Sequence, residues 1–132
     1  MPWNYGKNEM EVKLSEQLKM PKVHICKLKS DIDYLEKQLY FEKINYIILF
    51  GSCCKGIATL RSDIDLGIIT GEDLTRNELA DIRVTLNDDS QFGVETNAVI
   101  LSQKNYVEQY DKQRLYREIG DGLQIYHKEG RK

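Results

Sequence analysis

The chain has 132 residues, 41% hydrophobic content and a formal net charge of −2. That length favours one domain with a single buried core, and the near-neutral balance argues against disorder and against a strong generic pull on nucleic acid. No apolar run reaches the about 20 residues that cross a bilayer, and the start MPWNYGKNEMEVK lacks the apolar core of a secretory signal, so a soluble cytoplasmic protein is expected.

Residues 1–22 are polar, carry both prolines and show no period. Val23 and Ile25 alternate with His24 and Cys26, which suggests a brief strand. Ser30 is placed to cap a helix over 31–41, in which Ile32, Leu35 and Leu39 recur at helical spacing. The run YIILF at 46–50, ended by Gly51, reads as a buried strand. GIATL at 56–60 is long enough for only a turn or two of helix. DIDLGIIT at 63–70 reads as a second strand. Thr75 and Glu78 form a capping-box pattern ahead of Leu79, Ile82 and Leu86. VETNAVIL at 94–101 reads as a third strand, and a helical segment follows over about 103–119. Gly120 and Gly122 then break the chain before LQIYH at 123–127, an edge strand. The expected fold class is therefore α/β (α+β), a small mixed β-sheet covered by helices.

Asp63 and Asp65 interrupt the apolar pattern. Two residues apart on a strand, they share a face, while Ile64 and Leu66 turn to the core. Two carboxylates this close repel, and one tends to keep its proton. A divalent cation relieves that conflict. Mg²⁺ takes oxygen ligands, uses one or two protein carboxylates and completes its shell with water and phosphate oxygens. Directly after the preceding strand, Gly51 lets a phosphate approach the backbone, and Ser52 offers an N–H and a hydroxyl. Lys55 adds positive charge, Gly56 lets the chain turn again, and Ser62 is placed to cap the loop before Asp63. Gly-Ser alone is usually a turn and D-x-D alone usually a surface pair. A strand, Gly-Ser, ten intervening residues and an Asp-apolar-Asp strand together point to nucleotidyl transfer. In that reaction a hydroxyl attacks the α-phosphorus of a nucleoside triphosphate and pyrophosphate leaves in line.

The stretch LFGSCCKGIATLRSDIDL resembles the signature of the polymerase β-like nucleotidyltransferase superfamily, and the chain is similar to its small single-domain "minimal nucleotidyltransferase" (MNT) members. The resemblance covers about 30–127, so residues 1–29 read as an N-terminal extension of unknown role and 30–132 as the nucleotidyltransferase domain. It implies that Gly51 and Ser52 bind phosphate with Lys55 and Ser62 beside them. It also implies that Asp63 and Asp65 bind Mg²⁺, and that ATP or another nucleoside triphosphate is the substrate. Many such members pair with a small helical HEPN protein as its antitoxin, some by adenylylating it. The tail IGDGLQIYHKEG, with Tyr126, is similar to the family's ending. The chain departs from the pattern at the third carboxylate, which falls on Asn97, and an amide is no base. Glu95, two residues earlier on the same strand face, either reaches the site in its place or is solvated at the strand start, and the solvated reading is preferred.

Three function classes follow. The first is a Mg²⁺-dependent nucleotidyltransferase acting on a protein partner. The second is a catalytically weakened module that neutralises or assists a partner by binding it. The third is a small-molecule nucleotidyltransferase of the antibiotic-modifying kind that borrows its substrate domain from another subunit. The remaining candidates carry less. Cys26, Cys53 and Cys54 are an odd count without C-x-x-C spacing, so Cys53 and Cys54 read as packing groups in the loop after Ser52. His24 and His127 read as surface residues. Tyr106, Tyr110 and Tyr116 read as helix packing.

Overall fold

The computed structural model describes residues 19–128. In chain order these form α1 (Lys22–Glu36), a 3₁₀ turn (Leu39–Lys43), β1 (Ile44–Phe50), α2 (Ser52–Lys55), β2 (Ile64–Thr70), α3 (Arg76–Asn87), β3 (Thr96–Ser102), α4 (Gln103–Gln109), α5 (Arg114–Gly120) and β4 (Leu123–His127). The four strands make one mixed sheet in the order β3-β2-β1-β4. β1 lies antiparallel to both β2 and β4, and β2 runs parallel to β3. The parallel pair requires a crossover, which α3 supplies.

Strand alternation divides the core. Ile47 and Leu49 of β1 with Ile64, Leu66 and Ile68 of β2 pack on α1 and α3 through Leu28, Ile32, Leu35, Ile82 and Leu86. Ile48, Phe50 and Ile69 turn to the other face, where Ile119 of α5 covers them. Each fully buried Leu or Ile contributes about 1.5–3 kcal/mol of transfer free energy. Asp65 lies between Ile64 and Leu66 and therefore projects on the second, less covered face.

Several local expectations are corrected. Residues 23–26 are helical, not a strand, and the helix expected over 31–41 runs instead over Lys22–Glu36. Its buried residues are His24, Lys27, Leu28, Asp31, Ile32 and Leu35, a regular helical stripe in which three polar members conceal the period. Pro21 precedes its first turn, so Ser30 is mid-helix and caps nothing. Leu39 lies past the helix end and is 96% exposed. The short helix is not at 56–60 but at Ser52–Lys55, closed by Gly56 in the left-handed conformation (φ 74°). The segment expected over 103–119 is two helices, parted at residues 110–113. The capping box is present: Thr75 Oγ1 accepts from Glu78 N (3.2 Å) and Glu78 Oε1 from Thr75 N (2.8 Å). Helix α1 crosses residue 29 without a break and packs into the same core as the sheet. Among the described residues, no helix is long and apolar enough to cross a membrane.

Candidate functional site

β1 ends at Phe50, whose register partner on β2 is Asp65. The next residue, Gly51, has φ 76° and ψ −154°, a combination open essentially only to glycine. A Cβ there would collide with the Asp65 carboxylate, so the aspartate lies directly over the glycine. Ser52 then opens α2, and the Lys55 and Ile57 amides close that turn on the Gly51 and Ser52 carbonyls. The loop to β2 is held at its far end. Ser62 Oγ accepts from Thr59 N (2.9 Å), and Ser62 N donates to Thr59 O (3.0 Å). Ser62 thus caps this loop. Asp63 follows, exposed, one residue before the strand begins.

On the opposite flank, Asn97 is the register partner of Asp65. Its Nδ2 donates to Asp63 Oδ2 (3.3 Å), and its Oδ1 accepts from Asn87 Nδ2 (3.4 Å). The position expected to carry the third carboxylate therefore does stand beside the aspartate pair, and it carries an amide. Glu95 precedes β3 and is partly buried. Its backbone carbonyl accepts from Ile64 N (2.9 Å), which joins the starts of β2 and β3. Glu95 and Asn97 both line an open groove of about 610 Å³ between the end of α3 and β3. Lys55 is exposed on α2 and lines a small pocket of about 80 Å³ with Gly51, Cys54 and the α5 residue Glu118.

Partial burial pushes the Asp65 carboxyl above its usual range; the neighbouring Asn97 amide opposes this, and the charges of Asp63 and Glu118 add to it. A carboxylate so placed gains from a cation. Asp63 and Asp65 therefore fit a hard divalent ion. Among the described residues no group of three or more His, Cys, Asp or Glu side chains could hold a metal. Two carboxylates, with the rest of the shell left to water and phosphate, match the coordination habit of Mg²⁺. Cys53 is buried, with its Sγ 3.5 Å from the Asp63 carbonyl. Burial, then the nearby Asp65 and Asp63, push its thiol up to about 11, so it packs under the loop as a neutral group.

His24 is corrected from surface to core. It is fully buried, and its Nε2 lies 2.7 Å from the Ser62 carbonyl. His127 is exposed and stacks on Tyr46. Tyr106 packs edge-on against Tyr110 and is tilted against Tyr116, as helix-packing groups do. The sequence reading also missed the buried Lys27–Asp31–Thr96 network. Lys27 Nζ donates to Asp31 Oδ1 (2.6 Å), Leu86 O (2.7 Å) and Thr96 Oγ1 (3.0 Å), and Thr96 Oγ1 donates to Asp31 Oδ2 (2.5 Å). The available signal was the i, i+3, i+7 spacing of His24, Lys27 and Asp31 on the same face as Leu28 and Ile32.

A small mixed sheet whose glycine turn lies under Asp65 of β2, with Asp63 just before that strand, defines a nucleotidyltransferase-type domain. The family model described as "Polymerase beta, Nucleotidyltransferase" matches residues 29–128. The chain belongs to that family. No curated protein matches it. Among solved structures, it is similar to a putative nucleotidyltransferase from Sulfolobus solfataricus, with TM-score 0.51, 10% identity, and coverage of 92% of this chain and 86% of the other. It is also similar to a chain of a toxin–antitoxin complex with AMP-PNP, with TM-score 0.50, 19% identity, and coverage of 75% and 73%. At these identities the likeness is one of fold.

Proposed function

We propose that the protein is an MNT-type nucleotidyltransferase that moves a nucleotidyl group, AMP from ATP, onto a protein partner, and that it serves as the antitoxin of a HEPN-type toxin. The observation that carries this reading is the Asp65 carboxylate lying over Gly51, with Asp63 beside it. The likeness to a toxin–antitoxin chain with AMP-PNP supports the partner class and the nucleotide.

In this reading Gly51 and the start of α2 cradle the triphosphate. The Ser52 hydroxyl and amide donate to phosphate oxygens, and Lys55 offsets their charge. Asp63 and Asp65 hold Mg²⁺, which when bound neutralises charge on the attacking and leaving oxygens. Asn97 orients Asp63 through its amide but accepts no proton from the acceptor hydroxyl. Glu95 stands at the strand start, where its longer side chain is the available alternative base. The groove beside Asn97 is open, which favours an acceptor pocket completed by the partner.

The test is turnover with α-labelled ATP and the product of the adjacent reading frame. Label on that protein, dependent on Mg²⁺ and lost in Asp63→Asn and Asp65→Asn, is the expected result. Label on a small molecule would move the reading to the antibiotic-modifying class. The amide at Asn97 favours one second reading, a nucleotide-binding module that neutralises its partner by complex formation alone. A stable complex with no label transfer would select it.

A further inference from the structure

Helix α1 reaches both walls of the candidate site from beneath. His24 is fully buried and lies 2.7 Å, through Nε2, from the carbonyl of Ser62, the residue before Asp63. A carbonyl only accepts, so Nε2 carries the proton. Nδ1 is buried and has no hydrogen-bond partner among the described residues. Nothing there would reward the other tautomer. One turn further along, Lys27 binds the Thr96 hydroxyl and the Leu86 carbonyl, and Asp31 accepts from the same threonine. Thr96 is the residue before Asn97 and the register partner of Ile64. Each contact therefore ends one residue from a site side chain, on opposite walls. His24 and Lys27 also precede residue 29, where the family match begins.

We infer that the polar stripe of α1 is a positioning device for the nucleotide site: His24 fixes Asp63 through the Ser62 carbonyl, while Lys27 and Asp31 fix Asn97 through Thr96. This rests on the nucleotidyltransferase reading of that site. His24 touches neither metal nor nucleotide in this scheme. It holds the backbone that aims a ligand, and such supporting partners typically change metal affinity by about 10–100-fold. A purely structural core histidine predicts something different, a loss of stability with unchanged metal affinity in whatever fraction remains folded.

The experiment measures Mn²⁺ binding by electron paramagnetic resonance with a non-hydrolysable ATP analogue, on the full chain. His24→Leu is expected to lower affinity about 10–100-fold. His24→Gln, whose amide nitrogen can reach the same carbonyl, is expected to keep most of it. Tyr34→Phe is the stability control, because it removes hydrogen bonds to Asp81 away from the site. It should lose stability and keep affinity. Wild-type affinity in folded His24→Leu, a loss in His24→Gln equal to that in His24→Leu, or an equal loss in Tyr34→Phe would each overturn the proposal. If His24→Leu does not fold, ¹⁵N spectra of the wild-type imidazole decide: an Nε2–H tautomer supports the proposal and an Nδ1–H tautomer overturns it. If the wild type binds no Mn²⁺ with the analogue, the nucleotide reading fails, while the tautomer and the Asp63 amide shift in His24→Gln still judge the positioning contact by itself.

Discussion

Asn97 and Asp63 are joined by a 3.3 Å hydrogen bond in which the amide donates to the carboxylate. An aspartate in place of Asn97 could not donate, and it would bring a third negative charge beside Asp63 and Asp65. Metal-free Asn97→Asp should therefore be less stable than wild type, and Mg²⁺ with ATP should restore it. General-base help is typically worth about 10²–10⁴-fold. If nothing replaces the missing carboxylate, Asn97→Asp raises turnover by that order and Glu95→Gln changes little. If Glu95 is the base, Glu95→Gln is the damaging change. Single-turnover rates of the two variants separate the cases.

Asp65→Asn should abolish transfer while leaving the fold intact. Its effect on stability has a definite sign. The folded carboxyl titrates above its ordinary 3.8, so Asp65 contributes stability below that value and loses it as pH rises through the raised folded value. At neutral pH the ionised group is a modest net cost, reduced by its partial exposure. Urea midpoints should show Asp65→Asn at least as stable as wild type at pH 7, with the gain gone below pH 3.8. A variant less stable at pH 7 would contradict this.

Lys27→Met leaves the Asp31 carboxylate buried without its cation. Burial already pushes that carboxyl upward, against the hydrogen bonds from Lys27 and Thr96. Breaking such a pair from one side costs about 3–5 kcal/mol, whereas replacing both partners with apolar groups is often close to neutral. Equilibrium unfolding should show a large loss in Lys27→Met and substantial recovery in Lys27→Met with Asp31→Leu. The double variant isolates the charge effect from the lost packing.

Thiol labelling separates the cysteines. Cys26 is exposed and Cys53 is buried, with its thiol pushed up to about 11. At pH 8 Cys26 should react with iodoacetamide far faster than Cys53, which should label only on unfolding. Rapid labelling of Cys53 in the native state would mean that the loop over it opens.

Much of the candidate site was legible in the sequence because its chemistry is local. Gly51, Ser52, Asp63 and Asp65 lie within fifteen residues, and the strand period places Asp65, with Asp63 just before the strand, without knowledge of the rest of the fold. The capping box at Thr75 and the strands at 46–50 and 123–127 were legible for the same reason: short-range patterns set them. Helix α1 was not. Its buried stripe contains His24, Lys27 and Asp31, and polar residues in a core are recognisable only once their partners, Ser62, Leu86 and Thr96, are brought to them from 38 to 69 residues away. The place of Asn97 opposite Asp65 was likewise a matter of parallel register. The sequence alone singled out the candidate groups for phosphate and metal. Only the tertiary structure decided what holds them in place, because burial and long-range pairing fix the cost of every polar group in the core.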